Sequence, residues 1–342
     1  MASSTRKPGL SIKDVARVAG VSAQTVSRVA NGSSSVRPET RERVEAAMSQ
    51  LGYVPNHAAR ALRVGRFSTI GLMAHRFERT GEAMTLKAVV EAAEENDLSV
   101  TLIDVPSSTS AGWNQRASRL AQQAIDALVV IRAETAVPEL LALPPSLPIA
   151  ASDSRLAGHL PGVVVDQIQG SVDAVGHLLE LGHRTVHHIS GPLDSVPGRV
   201  RQGAWRRTLE EAGIHAPNPL VGDWTAESGY RAGLQLLNDP SVTAVFCAND
   251  ETAFGLMRAL HEGGRRVPQD ISVIGFDDIG LAPYAQVPLT TIRQDFHQIG
   301  HELVRLVLAQ MAGTPRAELG RVVLPSELIV RGSTAVPRPR SS

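Results

Sequence analysis

The spacing of hydrophobic positions changes character once along this chain. Up to about residue 51 they recur three and four apart in short bursts, broken by glycine, serine and proline. From residue 68 to about 330, short β-branched runs alternate with stretches of helical spacing. The first burst places Ile12, Val15, Ala16 and Ala19 on one face of a helix opened by Ser11, with Asp14 three residues on as a variant capping box. Gly20 allows a sharp turn, Val21 plugs the core, and Ser22 caps a second helix that points Val26 and Val29 inward. Pro38 suits the first position of a third helix, whose Val44, Ala47, Met48 and Leu51 form a buried stripe.

Beyond residue 68 the predicted strands are 69–73, 100–105, 127–131, 148–152, 162–165, 186–190, 244–247 and 271–275. Helical patterns at 83–96, 169–181, 200–213, 227–237 and 252–263 separate several of them. Such alternation builds βαβ units, and the span suffices for two parallel sheets covered by helices. The predicted fold class is an all-α helix-turn-helix head plus an α/β two-lobed sensor of two doubly wound parallel sheets. Residues 1–54 form the head and 55–67 a hinge helix and linker. The sensor takes 68–331, lobe 1 being about 68–164 and 296–323, lobe 2 about 165–293 and 324–331. The Pro- and Ser-rich tail 332–342 is expected to be disordered.

Charge sharpens this division. The chain has 34 basic and 34 acidic residues, yet residues 1–66 hold 11 Lys and Arg against 4 Asp and Glu. The head therefore carries seven surplus positive charges and the remainder seven negative, so only the head suits a polyanion. A single cysteine, Cys247, excludes an intrachain disulfide. The N-terminus has no apolar leader and no apolar run approaches bilayer length, which leads us to expect a cytoplasmic protein without membrane contact.

On the second head helix Ala23, Gln24, Ser27 and Arg28 point outward. Gln and Arg there can make bidentate bonds to adenine and guanine edges in the major groove. Thr25, Ser27 and Arg41 or Arg43 suit phosphates. The segments Ile12–Ala16, Ala19–Ser22, Thr25–Val29 with Asn31, Thr40–Val44, and Leu51–Asn56 with Ala58, Ala59 and Leu62 resemble the head of the lactose-repressor family of bacterial transcription regulators. The resemblance implies a head that reads a pseudo-palindromic double-stranded operator through Ala23, Gln24, Thr25, Ser27, Arg28 and Asn31. It further implies a hinge in which Asn56 and Ala59 approach DNA and Leu62 wedges into the minor groove. The family's namesake has tyrosine where this chain has Ala23, so its operator is not transferred.

The body resembles the sensor of the same family through Gly191–Leu193 with Arg199, Gly222–Trp224, Ala248–Asp250, Asp270–Val273 with Asp277 and Asp278, and Pro288–Ile292 with Phe296. Independently, Asn249, Asp250 and Asp277 follow apolar runs, at strand C-terminal ends where open α/β sheets gather ligands. A carboxylate there accepts hydroxyl protons, an arginine donates, and an aromatic covers an apolar sugar face. The resemblance implies that Arg199, Asn249 and Asp277 fix a ligand beside Trp224 and Phe296, with Asp153 and His75 on the first-lobe side. Asp250 reads instead as a helix N-cap. Departures at His75 and near Pro106 and Ser107 leave the ligand open: a galactoside-like sugar that induces, or a nucleoside or purine that co-represses.

Three function classes are compatible with a chain of this size and composition. A ligand-gated repressor leads, working as a homodimer because no heptads follow residue 333. A sugar-transport protein would lack the basic head. An enzyme would need a paired acid/base site, a nucleophile elbow or a phosphate loop, and none is legible. His183, His187 and His188 invite a metal reading, but adjacent strand residues face opposite ways, so neither metal nor cofactor is expected.

Overall fold

The computed structural model describes residues 10–30, 33, 35–53, 66–74, 79–104, 125–131, 144–152, 156 and 159–338. The chain divides into two compact units, one ending at Phe67 and the other beginning at Ser68.

In the first unit, α1 (Ile12–Ala19), α2 (Ala23–Ala30) and α3 (Pro38–Leu51) enclose a small core of Val15, Ala16, Ala19, Val26, Val29, Val44 and Ala47. The Asp14 carboxylate accepts from the Ser11 amide at 3.0 Å and hydroxyl at 2.7 Å, which holds its pKa below the usual range. Gly20 sits at φ 64°, a left-handed conformation that closes α1 and turns the chain into α2. The Ser22 hydroxyl accepts from the Thr25 amide at 3.1 Å, starting α2.

The second unit contains two six-stranded sheets. The first-lobe strands are β1 (Thr69–Ala74), β2 (Ser99–Asp104), β3 (Ala127–Ile131), β4 (Ile149–Ser152), β5 (Gly162–Val165) and β11 (Arg321–Leu324), in the order β11-β5-β4-β3-β1-β2. The second-lobe strands are β6 (His187–Ser190), β7 (Leu220–Val221), β8 (Ala244–Cys247), β9 (Ser272–Asp277), β10 (Thr290–Gln294) and β12 (Ser326–Ile329), in the order β12-β10-β9-β8-β6-β7. Every neighbouring pair is parallel except β10 with β12.

Helices α4 (Thr80–Glu94) and α9 (Phe296–Met311) pack on the first sheet, where Val89, Leu303 and Val307 meet Ile70, Leu72 and Val129. Around the second sheet lie α5 (Gln167–Glu180), α6 (Val196–Glu211), α7 (Ala226–Leu236) and α8 (Asp250–Glu262). The chain crosses between lobes at Asp166, Asp295 and Pro325. Two crossings are pinned together: the Asp166 amide donates to the Leu324 carbonyl at 2.8 Å, and Ser326 Oγ donates to the Asp166 carbonyl at 3.0 Å.

The expectation of a disordered tail fails for residues 332–338. Ser333 is fully buried; its Oγ accepts from the Thr290 amide at 2.8 Å and donates to the Val273 carbonyl at 2.6 Å. Its own carbonyl accepts from the Val273 amide at 2.9 Å. Ala335 exchanges bonds with the Ser272 hydroxyl, and its carbonyl lies 3.1 Å from His183 Nε2. A Ser- and Pro-rich composition reads as disorder because it buries little apolar surface; here hydrogen bonds to strand ends do the holding instead.

His188 belongs to the core. Its ring stacks on Trp205 and Phe246 at 5.1 and 5.0 Å, Nδ1 lies 2.8 Å from the Phe246 carbonyl, and burial pulls its pKa down to about 4. The unfolded chain therefore takes up a proton below its ordinary value near 6.5, which the native core refuses until about pH 4. Stability from the neutral ring is fully present above pH 6.5 and lost as pH falls through that window. Urea titrations at pH 7 and pH 4.5 should show His188→Phe losing about 2–3 kcal/mol less than wild type on acidification. Equal losses in the two proteins would contradict this assignment.

Candidate functional site

The second lobe's strands end in a cleft of about 270 Å³. Three of the sequence-predicted ligand residues line it: Trp224, Asn249 and Asp277. Asp277 closes β9 at φ 115°, followed by Asp278 at φ 52°, both in the region that L residues seldom adopt. Flanking bonds hold this strained corner. Asp278 pairs with Arg293 at 2.7 Å and Arg331 at 2.6 Å, and the Ile279 amide donates to Asp250 at 2.9 Å. Asp250 is thus not the N-cap. Its buried carboxyl also accepts from the Thr291 hydroxyl, and burial first, then the Asp277 charge, raises its pKa well above the carboxylate range.

Asn249 is the cap, its Oδ1 accepting from the Thr252 amide at 3.1 Å. That fixes the amide, so Nδ2 donates into the cleft side, to the Trp224 carbonyl at 2.9 Å and Glu251 Oε2 at 2.7 Å. Trp224, at φ 75°, leans against Gly191, where a Cβ would lie 2.5 Å from the indole. Any larger residue at 191 must move the aromatic wall.

Two predicted residues fall outside this cleft. Arg199 is exposed, and its Nη1 donates to the Leu193 carbonyl at 2.9 Å. The arginine that this lobe places in the cleft is Arg201. The buried face of α6 comprises Pro197, Gly198, Arg201, Ala204, Trp205 and Leu209, a helical stripe that includes Arg201 and skips Arg199. That stripe was the signal that could have found it. Phe296 opens α9 with its side chain in the first-lobe core beside Ile299 and Leu303, and it does not line the cleft. His75 and Asp153 lie outside the described residues.

Arg201, 1 % exposed, is satisfied on several sides. Nε donates to Gln167 Oε1 at 2.7 Å, Nη1 to the Ala248 carbonyl, and Nη2 to Asp277 Oδ1 at 3.4 Å. Gln294 Nε2 also donates to Asp277, and Gln167 Nε2 to Gln294 Oε1 at 3.1 Å, closing a ring of four side chains. The guanidinium lies 3.6 Å from the Phe276 ring centroid and 5.5 Å from that of Trp224. Gln167 and Gln294 flank two of the interlobe crossings, so the ring joins cleft to hinge. Gln167 was not singled out from sequence, since nothing local marks it.

The first lobe contributes Arg79, Thr80 and Gly81 from the start of α4. Asp223, Thr225 and Glu251 complete the second-lobe side. Carboxylates, amides and hydroxyls beside one aromatic wall make a surface for a neutral ligand rich in hydroxyls.

In the separate head unit, Gln24 and Arg28 stand exposed one turn apart on α2, with Ala23, Thr25 and Ser27 partly exposed around them. Arg41 is partly exposed, and its Nη2 donates to the Ser33 carbonyl at 2.6 Å. Arg43 is exposed. Asn31, Asn56, Ala59 and Leu62 lie outside the described residues.

Residues 11–56 match the pattern of bacterial regulatory proteins, lacI family, and residues 175–334 that of a periplasmic binding protein-like domain. The lactose operon repressor of Escherichia coli K12 is 34 % identical over 97 % of this chain and 93 % of its own length. This chain belongs to the lactose-repressor family. Another relative, the HTH-type transcriptional regulator CelR of Thermobifida fusca, is 36 % identical over 96 % of this chain and 98 % of its own. The HTH-type transcriptional repressor PurR of Escherichia coli is 37 % identical over 95 % of this chain and 96 % of its own. Among solved structures, a lac repressor dimer bound to operator and the anti-inducer ONPF matches with TM-score 0.85, at 34 % identity, over 96 % of this chain and all of that one. The family's head and two-lobed α/β sensor are the ones expected from the sequence. Among the described residues no helix is long and apolar enough to cross a membrane.

Arg199 and Arg201 of α6 should differ sharply in what their loss costs. Arg201→Ala leaves Asp277 buried without its cation and should cost about 3–5 kcal/mol. Arg199→Ala removes an exposed bond and should cost under about 1 kcal/mol. Chemical denaturation of both variants checks this, and equal costs would refute the placement of Arg201.

Proposed function

We propose that this family member is a cytoplasmic, sequence-specific transcription repressor, not an enzyme, that binds operator DNA through α2 and a small neutral sugar in the sensor cleft. The observation that carries the ligand reading is the Arg201–Asp277–Gln294–Gln167 ring, which ties a strained carboxylate in the cleft to the interlobe crossings. A group that bonds Asp277 perturbs partners flanking the hinge, so occupancy and lobe position share one network. A relative named as the lactose operon repressor and a solved CelR–cellobiose complex point to sugar ligands within the family. The cleft sets the carboxylates of Asp223, Glu251 and Asp277 and the hydroxyls of Thr80 and Thr225 beside Arg79, Arg201 and the Trp224 ring, a mix of donors, acceptors and one aromatic face that favours the sugar, with Asp277, Asn249, Trp224 and Arg201 as binding residues. Arg199 and Phe296 are left in supporting positions, and His75 and Asp153 stay candidates from the first lobe.

In the head, Gln24 and Arg28 read base edges while Ala23, Thr25, Ser27 and Asn31 pack against the groove and backbone. Asn56, Ala59 and the wedge Leu62 serve the minor groove. Reading a pseudo-palindrome needs two heads, hence a homodimer.

A pseudo-palindromic operator is first selected from a random duplex pool with the full-length protein. Gel shifts on it should then show Arg28→Ala weakened by about 1–3 kcal/mol and less selective at one base pair. Asp277→Asn should bind operator as wild type does, yet ignore a galactoside, cellobiose or other neutral sugar that releases wild type. A variant that still responds sinks the site assignment. A ligand that tightens DNA binding sinks induction in favour of co-repression.

Sedimentation at micromolar concentration should show dimers, since two heads on one pseudo-palindrome require two protomers. Tetramers would contradict it.

A further inference from the structure

Three acids crowd the corner at the end of β9. Asp277 pairs with Arg201, and Asp278 with Arg293 and Arg331. Among the described residues no basic side chain pairs with the third, Asp250, which is fully buried. It stands first in α8, yet its carboxyl serves other elements. Oδ2 accepts from the Ile279 amide at 2.9 Å, and Oδ1 lies 2.5 Å from Thr291 Oγ1 on β10. A side chain at Gly275 of β9 would collide with the same Oδ1. Gly275 and Thr291 are register partners, so one carboxyl sits against both strands at one level.

These contacts surround the backbone that carries the cleft-lining carboxylate. Asp277 and Asp278 hold φ values of 115° and 52°, conformations that persist only where neighbours over-determine them. The Asp278 ion pairs restrain the corner from one side. Ile279 is the first residue beyond the strained pair, and Asp250 fixes its amide from the other. We infer that Asp250 is a positioning residue of the sensor, tying α8 to β10 and to the Ile279 amide so that the Asp277 carboxylate keeps its direction into the cleft. The inference rests on the cleft being the ligand site, and it holds for a sugar or a purine alike. Without the tie the strained corner relaxes and Asp277 swings with its backbone. Burial, and then the Asp277 charge, favour the neutral acid over the carboxylate at Asp250. With its proton on, Asp250 offers one acceptor to Ile279 and one donor to Thr291, the two functions that an asparagine also has.

Calorimetry on the full-length protein would use o-nitrophenyl β-D-galactoside, cellobiose and adenine as probes. For whichever probe binds wild type, Asp250→Ala should weaken binding about tenfold, while Asp250→Asn should stay within about threefold. Operator affinity without a probe should match wild type in both variants, which separates positioning from a general loss of fold. Asp250→Ala binding the probe as wild type does would overturn the inference. So would Asp250→Asn as weak as Asp250→Ala, because the ties and not the charge are what aim Asp277. If Asp250→Ala does not fold, Thr291→Val keeps the volume and removes one tie. It should weaken the probe about fivefold, with Thr291→Ser restored, and an unaffected Thr291→Val would overturn the inference.

If no probe binds wild type, the ligand reading fails for these compounds, and hydrogen exchange of the ligand-free protein decides the positioning role. Asp250→Ala, or Thr291→Val in its place, should speed exchange in peptides spanning 277–284 and leave strand 244–247 at its wild-type rate. Asp250→Asn should keep the wild-type protection. Unchanged exchange at 277–284 overturns the inference. Faster exchange across the whole second lobe does so too, being the mark of a general loss of stability.

Discussion

Burying the Arg201 guanidinium obliges the second lobe to surround it with acceptors and π-faces. Three elements are recruited for this: the head of α5 through Gln167, the end of β8 through the Ala248 carbonyl, and the end of β9 through Asp277. A fourth, β10, joins through Gln294. Removing a charge from water costs several kcal/mol, so the arrangement holds only if all partners stay in register. The strained φ at Asp277, the paired Asp278 and the capped Asn249 follow from that demand. What makes the cleft able to hold a polar ligand is therefore also what fixes the strand ends relative to the hinge.

Most of the fold was legible because βα alternation writes itself as a change of hydrophobic period. The strands that β-branched runs marked, such as 127–131 and 244–247, stand where the spacing placed them. Helix starts came out late, at 83 and 200 instead of Thr80 and Val196, because the first turns carry Gly81, Pro197 and Gly198, which break the apolar rhythm. The strands at Arg321–Leu324 and Ser326–Ile329 were missed, their faces being half exposed and Pro325 separating them. Ser333 shows the opposite failure: composition signals disorder, while its hydroxyl finds buried partners that only the tertiary fold supplies.

For the cleft, strand-end logic found Asn249 and Asp277, since an acid or amide after an apolar run has few other places to go. It misjudged the arginine. Two residues apart on a helix are about 200° apart in direction, so Arg199 and Arg201 cannot share a face. The stripe through Pro197, Ala204 and Leu209 selects Arg201. Gln167 was invisible because its partners lie 34 and 127 residues away, and polar pairing at that range leaves no periodic trace in one sequence.

The strap at residues 332–338 and the strand Arg321–Leu324 have a consequence for biosynthesis. Each lobe takes a strand from this C-terminal stretch, and the second also takes its strap. A ribosome making this chain releases the head first, with its α1–α3 core closed. Each sheet ends one strand short, at β5 and at β10, until residues 321–338 have emerged. The nascent protein thus passes through an interval in which the basic head is formed and the body that governs it is not, a period when unpaired sheet edges are exposed to neighbours on the same message.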